Sequence, residues 1–366
     1  MSAPHGYNAG VKTWDVIVIG GGIIGLSLAR ELRKRRASVL VVERGEAGRE
    51  ASYAAGGMIA NCGDEGPAAL KPLADASAAM YPEFVHELQD ESGMNVDLRE
   101  QGTLLFLAPG QRSSEITGAQ SLPGSLLALE PELAAKDRPA VFLAERSVCP
   151  RALVSAALKA ARHHGVDVSQ GEPVEAVNLS DGGVVGVTTS KTTFSAPKVV
   201  NCAGAWAGQI APYAFPTRPV KGQMVCFGVP RKEVLRHVVR APEIYLIPRS
   251  DGRLLGGATV EEAGYDQRTV PETIQRLQRA AVSLLPALKD AHLLEAWAGL
   301  RPGTPDNLPI LGATPTPGYF VATGHFRDGI LLAPVTARVM AQVVAGEKPD
   351  LDVAAFGFAR FSVRAA

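Results

Sequence analysis

The chain of 366 residues lacks the features that would mark it for several common roles. It has only four cysteines, Cys62, Cys149, Cys202 and Cys226, and no two form a C-x-x-C pair. That scatter argues against a zinc site and a disulfide framework, and suits a reducing compartment. No apolar run approaches the roughly 20 residues needed to cross a bilayer. Residues 1–13 are polar and lead straight into the first apolar segment, without the parts of a secretory signal. The expectation is a cytoplasmic protein. Charge of one sign is not in excess: Lys plus Arg and Asp plus Glu both number 37. No overall field therefore draws the chain to nucleic acid or to an anionic membrane. An H-E-x-x-H motif, a His/Cys cluster and an acidic box are all missing, which leaves a metal site unsupported. There is no internal repeat or low-complexity tract. What remains, 46% hydrophobic and 20% charged, is the make-up of an ordered globular protein of one large domain or two.

Against that background one stretch stands out. Val16-Ile17-Val18-Ile19 reads as a strand, Gly20-Gly21-Gly22-Ile23-Ile24-Gly25 as a turn entering a helix, and Ser38-Val39-Leu40-Val41-Val42-Glu43 as a second strand. Gly20, Gly22 and Gly25 have the G-x-G-x-x-G spacing. It provides a tight turn, close approach of backbone to a pyrophosphate, and close helix–strand packing. A helix beginning near Ile23 aims its free N–H groups at phosphate. Glu43 lies 18 residues past Gly25, where a carboxylate can accept from an adenosine ribose. The combination points to a dinucleotide site.

The remaining pattern is βαβ at the start: strand 15–19, helix 23–36, strand 38–42. Residues 46–66 are rich in Gly, Ala and Ser and read as a loop against a ligand. Residues 70–92 read as a helix, 102–107 as a strand, 109–140 as loops with short helices, and 151–164 as another helix. Short strands follow between 166 and 194, then a buried strand from Lys198 ending in a glycine turn. A β-rich stretch covers 216–260 and an amphipathic helix 272–288. The last segment, a strand from Gly318, a glycine-bearing turn and a helix at 330–345, repeats the opening grammar. A discontinuous nucleotide domain is expected at 1–80, 150–210 and 300–366, with a substrate domain inserted as 81–149 and 211–299.

Several motifs, taken together, resemble the D-amino-acid oxidase-like flavoenzymes, with the strongest similarity to the glycine oxidase type associated with thiamine biosynthesis. They are the Gly20–Gly25 turn with Glu43, and Ala54-Ala55-Gly56-Gly57-Met58. Next come Asn201-Cys202-Ala203-Gly204-Ala205-Trp206-Ala207-Gly208, Pro219-Val220-Lys221-Gly222-Gln223 and Tyr245-Leu246-Ile247-Pro248-Arg249. Gly256-Gly257-Ala258-Thr259, Trp297 to Asp306 and Gly324 to Pro334 complete the set. They keep one order from residue 14 to about 345.

The resemblance implies an α/β fold: a discontinuous Rossmann-like FAD-binding domain with an inserted antiparallel-sheet α+β substrate domain. It implies FAD rather than NAD, bound without covalent linkage, because no cysteine follows Cys226. The adenosine half would sit on Gly20, Gly22, Ile23, Ile24, Gly25, Glu43 and Arg44, with a backbone contact near Val174. Ala203, Gly204 and Trp206 would add further contacts. The flavin ring would lie against Ala51, Ser52, Gly56, Gly57 and Met58 and the segment His325, Phe326, Arg327, Asp328, Gly329, Ile330 and Leu331. A helix starting near Gly329 would aim its positive end at the N1–C2 edge of the ring.

The implied reaction is oxidation of a small amino acid, glycine first, by hydride transfer from Cα to flavin N5. The imine would hydrolyse to oxo acid and ammonia, and O2 would become H2O2. Sarcosine, small D-amino acids and a dehydrogenase passing electrons to a carrier stay open as alternatives. Relatives often form homo-oligomers. Arg301, in what reads as a Gly-Leu-Arg-Pro-Gly turn, is the candidate carboxylate clamp, since a planar guanidinium can hold both oxygens. The plain alternative is a surface arginine in a charged turn. Tyr245 would add a phenolic hydrogen bond to the same carboxylate, or else simply pack in a strand core. Arg327 would hold the carboxylate or the flavin edge, unless it pairs locally with Asp328. Met58 and Val260 are candidate pocket walls. A methionine is common in glycine oxidases where this chain has Val260, so the departure leaves room for a methyl on the amine or on Cα. His325 is dispensable as a base if the amine enters neutral.

Overall fold

The computed structural model describes residues 12–63, 66–134, 137–229 and 234–361. The polar start, residues 1–11, lies outside them, as do residues 64–65 of the expected Gly/Ala/Ser-rich loop. The expected βαβ start is present. Strand Val16–Ile19 pairs in parallel with Val39–Glu43, and helix Ile23–Lys34 joins them. Both strands are buried along their whole length, so they read as continuous apolar runs rather than as alternating ones. The helix ends two residues short of the expected Arg36, which adopts a left-handed φ of 71°.

Among the described residues, a six-stranded sheet runs in the order Ile310–Ala313, Tyr319–Thr323, Val199–Asn201, Val16–Ile19, Val39–Glu43, Asp167–Gln170. Its neighbours are parallel except at the Ile310–Ala313 edge. Helices Ile23–Lys34, Lys71–Ser92, Pro150–His163 and Ala333–Ala345 cover one face in a single apolar cluster. The other face meets the three-stranded sheet of 174–195 through Tyr213, Phe215, Tyr319 and Phe358.

Among the described residues, the second unit is built on a seven-stranded sheet ordered His292–Gly303, Arg218–Gly228, Arg253–Gly257, Tyr245–Pro248, Val238–Arg240, Thr103–Phe106, Ala140–Leu143. It is antiparallel apart from one parallel pair, Val238–Arg240 with Thr103–Phe106. Side chains alternate across it as the pleat requires. Val225 and Phe227 face helix Pro271–Leu284, whereas Met224 and Cys226 belong to a smaller cluster with Met58, Tyr245 and Trp297.

Two expected boundaries fall inside continuous elements. A division at residue 80 would cut helix Lys71–Ser92, whose Ala78 and Phe84 share one core with the nucleotide-domain helices. A division at 299 would cut strand His292–Gly303. The helix survives Pro82, which cannot donate to the Ala78 carbonyl one turn back. Arg146 Nη1 donates to that carbonyl instead, at 3.3 Å.

Candidate active site

The parallel strands of the six-stranded sheet end together, and a cavity of about 1280 Å³ opens there toward the second sheet. Such carboxyl ends are where open α/β sheets take ligands. The cavity wall carries Gly20, Gly22, Ile23, Ile24, Glu43, Arg44, Ala51, Ser52, Gly56, Gly57 and Met58. It also carries Val174, Ala203, Gly204, Trp206 and every residue from His325 to Leu331. Tyr245 and Arg301 face it from the second sheet, and Val260 from the segment after strand Arg253–Gly257. Gly25 does not line it. A β-carbon there would overlap the Gly20 carbonyl oxygen, so its glycine serves the packing of helix on turn.

Local chemistry explains the shape of the nucleotide end. Gly20 sits at a φ of +106°, and a β-carbon there would stand 2.5 Å from the Cys202 carbonyl oxygen. Glu43 holds the glycine turn: its carboxylate accepts from Gly21 N–H at 2.7 Å and from Gly45 N–H at 2.9 Å. Each oxygen keeps a second lone pair for a ribose hydroxyl. Ser52 Oγ accepts from Ile23 N–H at 3.0 Å, capping the first helix from another segment. Trp206 is flanked by the Arg44 guanidinium, 4.1 Å from its ring centre, and by Tyr265 at 5.5 Å.

At the other end, Arg301 is not in a turn. It lies within strand His292–Gly303, opposite Val220. This is the sheet's edge strand, where Pro302 is tolerated; the Pro and Gly that suggest a turn sit in paired backbone. Arg301 Nη1 donates to the Thr259 carbonyl at 3.0 Å and more weakly to that of Lys221 at 3.4 Å. Among the described residues no acid lies within ion-pair distance of it. Burial pulls its pKa below the ordinary arginine value, and Arg327 pulls the same way, while Tyr245 and Glu261 oppose them. Two guanidiniums and a phenol thus converge on one region of the cavity. Tyr245 Oη also reaches Met224 Sδ at 3.8 Å. Met58 is both wall and packing, since it touches the Met224 cluster. Val260, 53% exposed, stands at the rim rather than deep inside.

The helix expected from Gly329 begins at Ala333. Pro334, just inside its start, has no N–H to give and favours a first-turn position. Gly329, Ile330 and Leu331 therefore line the cavity from a turn closed by Leu332 N–H on Asp328 O at 2.8 Å. Helix Lys71–Ser92 pins that turn. Ser77 Oγ donates to Leu331 O at 2.6 Å and Tyr81 Oη to Ile330 O at 2.5 Å. His325 is buried against Thr336 Oγ1 at 3.2 Å, and burial lowers its pKa to about 3.

A family model described as FAD dependent oxidoreductase matches residues 15–343. The chain belongs to this family. It is 35% identical to the bifunctional protein ThiO/ThiG of Trichormus variabilis over 96% of its own length, but spans only 56% of that protein, just over half. It is 34% identical to glycine oxidase of Pseudomonas aeruginosa, covering 93% of this chain and 97% of that one. The crystal structure of glycine oxidase from Geobacillus kaustophilus matches with a TM-score of 0.88 at 31% identity, covering 95% of this chain and 99% of that one.

The cofactor of this family is FAD, and the residues present suit it. The cavity runs without interruption from a carboxylate and a tryptophan, past a glycine turn at a helix N-terminus, to the two arginines. Glu43, Gly20, Gly22 and Ser52 would hold the nucleotide half. Gly56 to Met58 and His325 to Leu331 would hold the ring. Three residues outside the candidate set also line or fix this space. Gly222 makes room for Arg301. Tyr265 braces Trp206 and donates to Ala205 O at 3.0 Å. Arg240, on the wall beside Cys62 and Gly63, forms a buried pair with Glu145 at 3.4 Å. Gly222 stood inside a quoted motif; the other two carried no local signal.

Proposed function

We propose that the chain oxidises a small amino acid, glycine first, to the corresponding oxo acid and ammonia, with O2 reduced to H2O2. FAD is held without a covalent bond. Sarcosine and small D-amino acids are the nearest alternatives. The observation that carries this reading is Arg301: a half-buried guanidinium with no acid in ion-pair range among the described residues, facing a cavity that the family fills with FAD.

Bound FAD supplies the two-electron acceptor that no side chain can provide. The protein supplies position and charge. Arg301 spends one nitrogen on backbone carbonyls and keeps other N–H donors for a substrate carboxylate. Tyr245 offers that carboxylate a phenolic donor. The positive charges of Arg301 and Arg327 disfavour an ammonium nearby, so the substrate nitrogen loses its proton to water on entry. His325 is not the base: a buried imidazole with a pKa near 3 binds protons too weakly. Val260 at the rim limits what the nitrogen or Cα can carry.

The test is oxygen uptake and peroxide release by purified protein given glycine, sarcosine and D-alanine. FAD that is reduced by one of these without peroxide would make the chain a dehydrogenase. Purified protein that is colourless and takes up no added FAD would end the reading.

A further inference from the structure

Arg249 follows directly after strand Tyr245–Pro248, the strand that brings Tyr245 to the cavity. It is 5% exposed. Its Nη2 donates to the Gly56 carbonyl, and its Nη1 is buried with no hydrogen-bond partner. Neighbouring arginines are paired: Arg253 with Asp251 at 2.7 Å and Arg151 with Glu295 at 2.7 Å. Arg249 has no acid within ion-pair distance among the described residues. Asp97, the acid with most influence on it, gives one oxygen to Ser250 Oγ at 2.6 Å and the other to Ser250 N–H at 3.1 Å. The Cys149 thiol and the Arg253 and Arg99 side chains also act on it, Asp251 feels its charge, and Arg151, Glu295 and Cys226 line the same small cavity.

Burying an unpaired cation is costly, and a neutral donor could hold the Gly56 carbonyl equally well. The charge itself therefore calls for a use. Burial lowers the pKa of Arg249, yet a guanidinium starts so high that it stays protonated at neutral pH. Gly56 belongs to the cavity wall, with Gly57 and Met58.

We propose that Arg249 is a positioning residue that fixes Gly56 and sets a positive charge with no ion-pair partner behind the wall facing the flavin ring, favouring the two-electron-reduced cofactor. This rests on the FAD reading above. It does not involve Arg301, which lies on another strand.

The test uses FAD-loaded wild type, Arg249→Lys, Arg249→Gln and Arg249→Met, with midpoint potentials from dye equilibration and FAD dissociation constants measured in parallel. Gln and Met are expected to shift the reduction equilibrium at least tenfold toward the oxidised form, about 30 mV for a two-electron couple. Lys should stay within threefold of wild type, and KM for the amino acid should not move. Neutral variants that keep FAD with an unchanged potential would overturn the proposal. So would an equal shift in all three variants, which would mean that geometry matters and charge does not. Loss of FAD from Gln and Met but not from Lys would also overturn it, by making Arg249 a support for binding alone. A wild type that takes up no FAD would instead overturn the functional reading.

Discussion

Replacing Gly222 by alanine adds one methyl group, yet it tests the carboxylate clamp more sharply than removing Arg301. A β-carbon at Gly222 would stand 2.6 Å from Arg301 Cζ and closer still to both terminal nitrogens, where ordinary contacts start at 3.4 Å. The backbone stays put, because Gly222 lies in a paired strand opposite Gly299. The obstacle is the far end of a flexible side chain, so the guanidinium moves, by about 1 Å, and loses its alignment with the Thr259 carbonyl. A displacement of that size at a substrate-positioning group costs about 100-fold at worst, so a 10- to 100-fold loss in kcat/KM is expected, about 1.4–2.8 kcal/mol. FAD content should match wild type, since Gly222 lies on the second sheet and the glycine turn that would hold the nucleotide on the first. Oxygen-electrode kinetics give the answer, with a double-mutant cycle as control. In an Arg301→Ala background the same alanine should add less than about 0.5 kcal/mol. If Gly222→Ala keeps kcat/KM within twofold, or costs as much without Arg301 as with it, the guanidinium is not the clamp.

Val260→Met should narrow the cavity rim and lower sarcosine turnover relative to glycine; an unchanged ratio of kcat/KM values would remove Val260 from the selection of substrate. Tyr265→Ala removes a ring contact with Trp206 and a 3.0 Å hydrogen bond to Ala205 O. Each is worth about 1 kcal/mol, so FAD affinity should fall by up to about 30-fold, and fluorescence titration showing no change would free the adenosine end from this brace. His325 has an ordinary pKa of 6.5 and a folded value of about 3. Between those values the unfolded chain binds a proton that the folded chain refuses, so stability is full above about pH 6.5 and drains as pH falls toward 3. His325→Asn should flatten that slope in Tm against pH, and an identical slope in the variant would assign it to other groups.

The strand, turn and helix at Val16 to Lys34 were legible because their signals are local: apolar run, glycine spacing and helix periodicity all lie within 20 residues or so. The same holds for Glu43 at the end of its strand, although its hold on Gly21 was not visible. Arg301 shows where such reading fails. Pro302 and Gly303 are turn formers by local rule, but pairing with Arg218–Gln223 keeps them in an edge strand. The strand–turn–helix grammar predicts the final helix from residue 330, three residues before it begins at Ala333, because the turn there is held by Ser77 and Tyr81 from some 250 residues away.

The order of residues alone thus determined that a dinucleotide fold opens the chain, which motifs mark the family, and which arginines and tyrosine are candidates for holding a substrate. Only the tertiary structure decided that Arg301 is half-buried without an acid in range, that Glu43 and Ser52 brace the glycine turn, and that Arg249 lies behind Gly56 with no acid in ion-pair range. The physical reason is that motif spacing reflects backbone geometry, which is local. Burial, desolvation and charge compensation depend on segments that meet only when the two sheets close around the cavity.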